Sequence, residues 1–319
     1  MTPIVLLMGP TAAGKTDLAL RLAERLPADL VSVDSAMVYR GMDIGTGKPP
    51  PEVLARAPHR LIDIREVTET YSAGEFRRDA MREIESIRAD GRIPLLVGGT
   101  LLYFRALERG LSPLPRAAPA IRERLEGEAE RCGWPALHAR LAAVDPGAAR
   151  RIHPNDAQRI QRALEVFEVS GRRLSEWHRS DPRPAGPAEP IVRLAVAPAE
   201  RGDLHRAIDT RFRAMVERGL VDEVRGLAER PGVGPDLPSM RAVGYRQVFD
   251  HLQGRSDHAE MVERAVAATR QLARRQLTWL RSLSGIRWLD PAAGGELRAR
   301  EYILRNGDDE PREPGNRLQ

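Results

Sequence analysis

Cysteine occurs once, at Cys132, in a chain of 319 residues. A lone thiol excludes an intramolecular disulfide and cannot assemble a cysteine-based zinc site. No apolar run approaches the ~20 residues that a membrane-spanning helix needs, and the stretch from Ile4 to Met8 lacks the length and charged flank of a secretory signal. A cytoplasmic protein with no membrane attachment is therefore expected. Lysine is nearly absent: it stands only at positions 15 and 48, so arginine supplies the other 48 of the 50 basic residues. The two exceptions mark either places that require a compact ammonium or chance survivals. A motif settles Lys15 as required. Lys48 belongs to no general phosphate motif, and both readings stay open for it.

What is present begins with "IVLLMGPTAAGKT", an apolar strand running into a glycine-rich loop and a helix. Gly9, Pro10, Thr11, Ala12, Ala13, Gly14, Lys15 and Thr16 fit the pattern G-x-x-x-x-G-K-[ST] in that strand-to-helix context, as in nucleotide- and ATP-binding loops. Backbone N–H groups and the helix N-terminus make a concave anion site, Lys15 adds a mobile point charge, and the Thr16 hydroxyl is placed to hold Mg²⁺. Asp34 follows the apolar run in "LVSVDSAMVY", and Thr100 follows the one in "IPLLVGGT". In an open α/β sheet the carboxyl ends of strands face the ligand crevice, so both belong near the phosphates. A local capping role is the alternative for each.

The pattern of elements predicts an α/β fold, a P-loop NTPase-like parallel sheet core with an inserted all-helical subdomain. Ile4–Met8, Leu30–Val33 and Ile93–Val97 read as buried strands, separated by helical patterns over Lys15–Leu26 and Ala73–Ala89. Residues 1–112 form the first part of the core. Over 113–190 strand signals vanish and helical segments take their place: Ala120–Arg131, Trp134–Ala142 and Asp156–Ser170. The breaker-rich "RSDPRPAGPAEP" reads as the exit linker. Residues 191–305 complete the core, beginning with the strand-like "IVRLAVAP", and the polar end 306–319 reads as a disordered tail. No internal repeat is visible. With 42% hydrophobic and 30% charged residues, there is material for one large core plus a smaller domain.

A net charge of +5 and a pI near 9.8 point to a polyanionic partner. In "RAVAATRQLARRQLTWLR", Arg264 to Arg281, there are five arginines and no acid. At ~100° per residue Arg270, Arg274 and Arg281 share one helix face, with Ala268, Leu272 and Trp279 on the opposite one. The absence of acids favours phosphate contact over a plain solvated face. His153 and Asn155, in "IHPND", read as a turn and helix cap rather than as catalytic groups.

Taken with "VSVDSAMVYRGMDIGTGKP", "APHRLIDI", "YSAGEFRRDA", "LLVGGTLLYFRAL", "IHPNDAQRIQRALEV", "MRAVGYRQ" and "TRQLARRQLTWLR", the loop "GPTAAGKT" closely resembles the bacterial tRNA dimethylallyltransferase family, block by block in family order from residue 9 to about 281. Ala13 departs from the serine usual in the family. The resemblance implies that the loop holds dimethylallyl diphosphate, with Mg²⁺ as cofactor. The allyl group would go to the exocyclic amine of the adenine immediately 3′ of the anticodon in the tRNA anticodon stem-loop. It implies Asp34 as the base, Thr100 as an orienting hydrogen-bonder, and Lys15 and Arg211 as charge at the diphosphate, with Arg206 a nearby alternative to Arg211. The same pattern implies tRNA contacts from Asp34, Ser35, Ala36, Met37, Thr100 and Arg122, and from Gln158, Arg159, Ile160, Gln161 and Arg162. Further along it implies Arg241, Gly244, Tyr245 and Arg246, then Arg274, Arg275, Gln276, Trp279 and Arg281. A monomer is expected. Three other functions use parts of the same sequence: a P-loop small-molecule kinase, an adenylate isopentenyltransferase without an arginine-lined surface, and a non-enzymatic nucleic-acid-binding module that leaves Asp34 and Thr100 unexplained.

Overall fold

The computed structural model describes residues 2–180, 186–292 and 294–305. β1 (Ile4–Met8) leads through the glycine-rich loop into α1 (Lys15–Arg25), β2 (Ala28–Val33), α2 (Pro51–Arg56), β3 (His59–Arg60), α3 (Ala73–Ala89), β4 (Ile93–Gly98) and α4 (Leu101–Arg109). A helical run follows: α5 (Pro119–Cys132), α6 (Trp134–Val144), α7 (Pro146–Ala149), α8 (Ala157–Ser170) and α9 (Leu174–Ser180). The chain then forms β5 (Ile191–Val196), α10 (Arg201–Glu217), α11 (Leu220–Ala228), α12 (Tyr245–Leu252), α13 (His258–Arg281), β6 (Arg287–Leu289) and α14 (Gly295–Leu304).

The strands form one parallel sheet in the order β3-β2-β4-β1-β5-β6. Every residue of β1 is fully buried, as a central parallel strand covered on both faces demands. Alternation divides the core accordingly: Ile4, Leu6 and Met8 face one layer with Val33, Leu96, Phe104 and Phe212, while Val5 and Leu7 face the other with Leu18, Leu22, Leu95 and Ile303. Register brings the site together. Gly98 of β4 pairs with both Met8 of β1 and Val33 of β2, so three strands end level and the residues after them emerge along one edge.

The expected strands and helices are found with shifts of a residue or two at their ends, two residues at the start of β2 and at the end of α6. The strands β3 and β6, two and three residues long, were not foreseen because they are too short to show a period. Residues 109–186 form a separate compact unit with its own core, including Leu125, Leu137, Leu141, Ile160 and Leu164. The inserted segment expected over 113–190 thus sits four residues earlier at each end. Residues 181–185 of the expected exit linker, and the expected tail 306–319, lie outside the described residues. No helix among the described residues is long and apolar enough to cross a membrane.

Candidate active site

The loop after β1 enters α1 through Gly14, which caps the helix in the left-handed conformation at φ 78°. Ala13, where the family usually has serine, is buried in the core. Lys15 is half-buried and its Nζ donates to the Pro10 carbonyl at 2.6 Å, folding the side chain across its own loop. Its pKa is lowered to about 8, first by burial and then by the Arg211 guanidinium, with Asp34 acting in the opposite direction. Arg211 in turn is lowered by burial and supported by Asp34. Two cations and one carboxylate therefore share a common field. Arg206, the alternative to Arg211, is exposed and paired with Asp203.

Asp34 emerges at the end of β2. Its Oδ1 accepts from the backbone N–H groups of Ala36 at 2.8 Å and Met37 at 3.2 Å, while no hydrogen bond to Oδ2 is found among the described residues. Oδ1 thus closes a local turn rather than capping a helix, and Oδ2 is left as an acceptor. Thr100, after β4, accepts from Ser35 N at 3.1 Å and ties the β4 end to the residue next to Asp34. Gln276 of α13 closes the third side: its Oε1 accepts from Thr11 N at 3.0 Å and its Nε2 donates to the Gly99 carbonyl at 2.9 Å. The half-buried side chain expected to touch tRNA also fastens the phosphate loop to the residue after β4. Beside the loop lies a small cleft of about 70 Å³, lined among others by Thr11, Thr46, Ile208, Arg211, Phe212 and Leu272.

Magnesium fits the donor set. Among the described residues no cluster of three or more His, Cys, Asp or Glu could cage a metal with protein groups alone. Mg²⁺ bound through phosphate oxygens and waters needs only a hard oxygen such as the Thr16 hydroxyl at the start of α1.

The structure sorts the expected RNA contacts. Ser35, Gln158, Arg159, Arg241, Arg246, Arg274, Arg275 and Arg281 are exposed, and Ala36, Met37 and Trp279 are half-buried. Ile160 and Tyr245 are fully buried, their side chains packed and not presented, and Gly244 is buried as the cap of α12, which corrects those three expectations. Arg122 and Arg162 are half-buried and converge on the fully buried Glu165, at 2.8 Å and 2.5 Å, while Gln161 donates to the Arg122 carbonyl and to Glu126. Burial pushes the Glu165 carboxyl up, but Arg122 and then Arg162 outweigh it and hold the pKa below the usual value. These three residues of the RNA set therefore stabilise the helical unit. In α13 the buried stripe is Met261, Val262, Ala265, Val266, Ala273 and Leu280, about a quarter-turn from the one expected at ~100° per residue. Arg270 is consequently half-buried, its Nε without a hydrogen-bond partner. His153 accepts from Asn155 N in a turn before α8, and Asp156 caps that helix.

Two further residues of weight are Lys48, whose role the sequence left open, and Glu223, which it missed. Lys48 is 4% exposed, and its Nζ donates to the Tyr39 carbonyl, Asp43 Oδ1 and Asp63 Oδ1 at 3.1, 2.5 and 2.6 Å. Its retention among arginines was the available signal, since a guanidinium cannot enter so small a three-oxygen clasp. Glu223 gave no signal: "GLVDEVRGL" reads as an ordinary helix start.

A glycine-rich strand-to-helix loop at the level strand ends of a parallel sheet, beside a carboxylate, places the chain in the P-loop-like class. The IPP transferase family model matches residues 37–283. A tRNA dimethylallyltransferase of Alkalilimnicola ehrlichii is 59% identical over 290 residues, spanning 91% of each chain. The chain belongs to the IPP transferase family. The crystal structure of a full-length tRNA isopentenylpyrophosphate transferase from Bacillus halodurans superposes with a TM-score of 0.70 at 35% identity, covering 96% of this chain and 97% of that one. A eukaryotic dimethylallyltransferase acting on tRNA, at 24% identity, shares the fold with a TM-score of 0.79 over 98% of this chain and 81% of its own.

Proposed function

We propose that this protein transfers the dimethylallyl group of dimethylallyl diphosphate to the exocyclic amine of the adenine 3′-adjacent to the anticodon in tRNA, releasing diphosphate. The observation that carries the chemistry is the grouping of Lys15 and Arg211 with Asp34 at the level ends of β1 and β2. As the allylic carbon–oxygen bond breaks, negative charge gathers on the departing diphosphate, where the loop N–H groups, Lys15 and Arg211 stabilise it. The adenine nitrogen forms the new bond to the allylic carbon. Its lone pair is delocalised into the ring, so it must lose a proton as it attacks, and Asp34 Oδ2 accepts that proton. Mg²⁺ held by Thr16 would neutralise further charge on the diphosphate. The apolar walls of Ile208, Phe212 and Leu272 suit a five-carbon tail better than a nucleoside.

The target base stacks within the anticodon loop, so the enzyme must extrude it to reach the amine. The test is direct. Purified protein with labelled dimethylallyl diphosphate and Mg²⁺ should label tRNA and leave AMP unlabelled; labelling of AMP alone, or phosphate transfer from ATP, would replace this reading by one of its rivals.

The exposed arginines of α13 supply a second expected result. Arg274, Arg275 and Arg281 face solvent with no carboxylate partner among the described residues. Replacing all three by Gln should weaken tRNA binding and flatten its salt dependence, each lost phosphate contact lowering the slope by roughly 0.7 to 0.9. Filter retention at several salt concentrations reads the slope, and circular dichroism confirms the fold. An unchanged slope in the folded triple variant returns this face to ordinary solvated arginine.

A further inference from the structure

One carboxylate outside the expected site captures a loop on which the site depends. Glu223, in the first turn of α11, accepts through Oε2 from the backbone N–H groups of Asp43 at 3.0 Å and Ile44 at 2.7 Å. Through Oε1 it accepts from Gly45 N at 3.1 Å and from the Tyr245 hydroxyl at 2.6 Å. Both oxygens are filled by donors, and burial, followed by the Glu223 charge, raises the pKa of the Tyr245 phenol so that it stays protonated and donating. The segment so held runs on into Thr46 and Gly47, the seat of Arg211: its Nη2 donates to the Thr46 carbonyl at 3.3 Å. The seat is tight. A Cβ at Gly47 would lie 1.9 Å from Arg211 Nη2, and one at Gly45 would lie 2.5 Å from the Tyr245 ring. Lys48 holds the far end of the same segment through Asp43 and Asp63.

We propose that Glu223, with the Tyr245 hydroxyl, is a positioning residue for Arg211: by binding the backbone of residues 43–45 it fixes the floor on which the guanidinium rests, and so the place where positive charge meets the diphosphate. The inference rests on the proposed function for its reaction but not for its physics, because the anion can be tested alone. A shift of the floor by a few tenths of an ångström moves a charge whose value depends on where the transition state's charge develops. Glu223 does not line the cleft. If it acts through Arg211, its effect vanishes when Arg211 is absent.

Glu223→Gln preserves size but makes one acceptor a donor. The amide's better orientation turns its NH₂ toward the rotatable Tyr245 hydroxyl, which leaves Gly45 N–H facing a donor next to Thr46. Calorimetry with inorganic diphosphate should show affinity lowered about tenfold in this variant, and in turnover KM for the allylic diphosphate should rise while KM for tRNA holds. The decisive measurement is the double-mutant cycle with Arg211→Ala. The pair should bind diphosphate within about a factor of two of Arg211→Ala alone. Losses that multiply, or an unchanged affinity in folded Glu223→Gln, overturn the proposal. Tyr245→Phe, which removes one of the four hydrogen bonds, is put through the same cycle should Glu223→Gln fail to fold. Wild-type protein that binds diphosphate with this coupling yet transfers no label to tRNA would refute the proposed function and leave the positioning role standing.

Discussion

Lys15→Ala is expected to lose diphosphate-dependent turnover by a factor on the order of 100 or more while the protein stays folded. In the proposed reaction the ammonium meets the leaving group's developing charge, and its contact with the Pro10 carbonyl already folds it over the loop. Lys15→Arg should fail as well, because a planar fork cannot fill the place of a compact ammonium inside the loop. The lowered pKa gives the prediction a pH signature. With the group at about 8 instead of its ordinary 10.5, the free protein sheds this proton over a range in which bound diphosphate would hold it on. Above pH 8, binding must therefore take up a proton, and affinity should fall by about tenfold per pH unit until the pKa of the bound state is reached. Stability runs the other way. The unfolded chain binds the proton more tightly than the folded one, so between pH 8 and 10.5 folding stability contributed by this group rises with pH. Calorimetry with inorganic diphosphate in two buffers of different ionisation enthalpy measures the proton uptake directly. Uptake that persists in Lys15→Ala would assign the proton to another group, and unchanged turnover would remove Lys15 from the mechanism.

How much of this site the sequence discloses depends on the range of the interactions that build it. The phosphate loop is legible because strand, turn and helix N-terminus are contiguous, and their spacing alone creates the anion site. Asp34 and Thr100 are legible as strand ends, although it takes the register of Gly98 against Met8 and Val33 to place them at one level. Neighbours in a motif are harder to read. In "GYRQ" Tyr245 is buried and Arg246 exposed, since one step along a helix turns the side chain by ~100° and only tertiary packing decides which direction is inward. The same packing defeats the face assigned to α13. Both α10 and α12 lie against it, so its buried stripe faces neither of the stripes that composition suggested. Arg122 and Arg162 illustrate a third limit: their charge is visible in the sequence, but Glu165, which consumes it, is identifiable only once Ala118 N and both guanidinium groups are seen to converge on it. Glu223 is illegible for the same reason, being separated by 178 residues from the Gly45 N–H that it accepts.

Asp34→Asn is expected to slow the chemical step about 100-fold or more and to leave tRNA affinity nearly intact. The geometry makes this substitution unusually clean. Asparagine keeps a carbonyl oxygen that can accept from Ala36 N and Met37 N, so the turn that Oδ1 holds together survives. At the other position an NH₂ replaces the free acceptor, and a donor cannot take a proton from the adenine amine. The substitution also removes the one negative charge that supports both Lys15 and Arg211, so the ammonium pKa should drop below about 8 in the variant. The decline of diphosphate binding with rising pH should therefore begin earlier than in the wild type. Single-turnover quench-flow with labelled donor and saturating tRNA isolates the chemical step from product release. A rate equal to that of the wild type would leave Asp34 with its turn-closing role alone, and the proton acceptor would then have to be water or the diphosphate oxygens themselves.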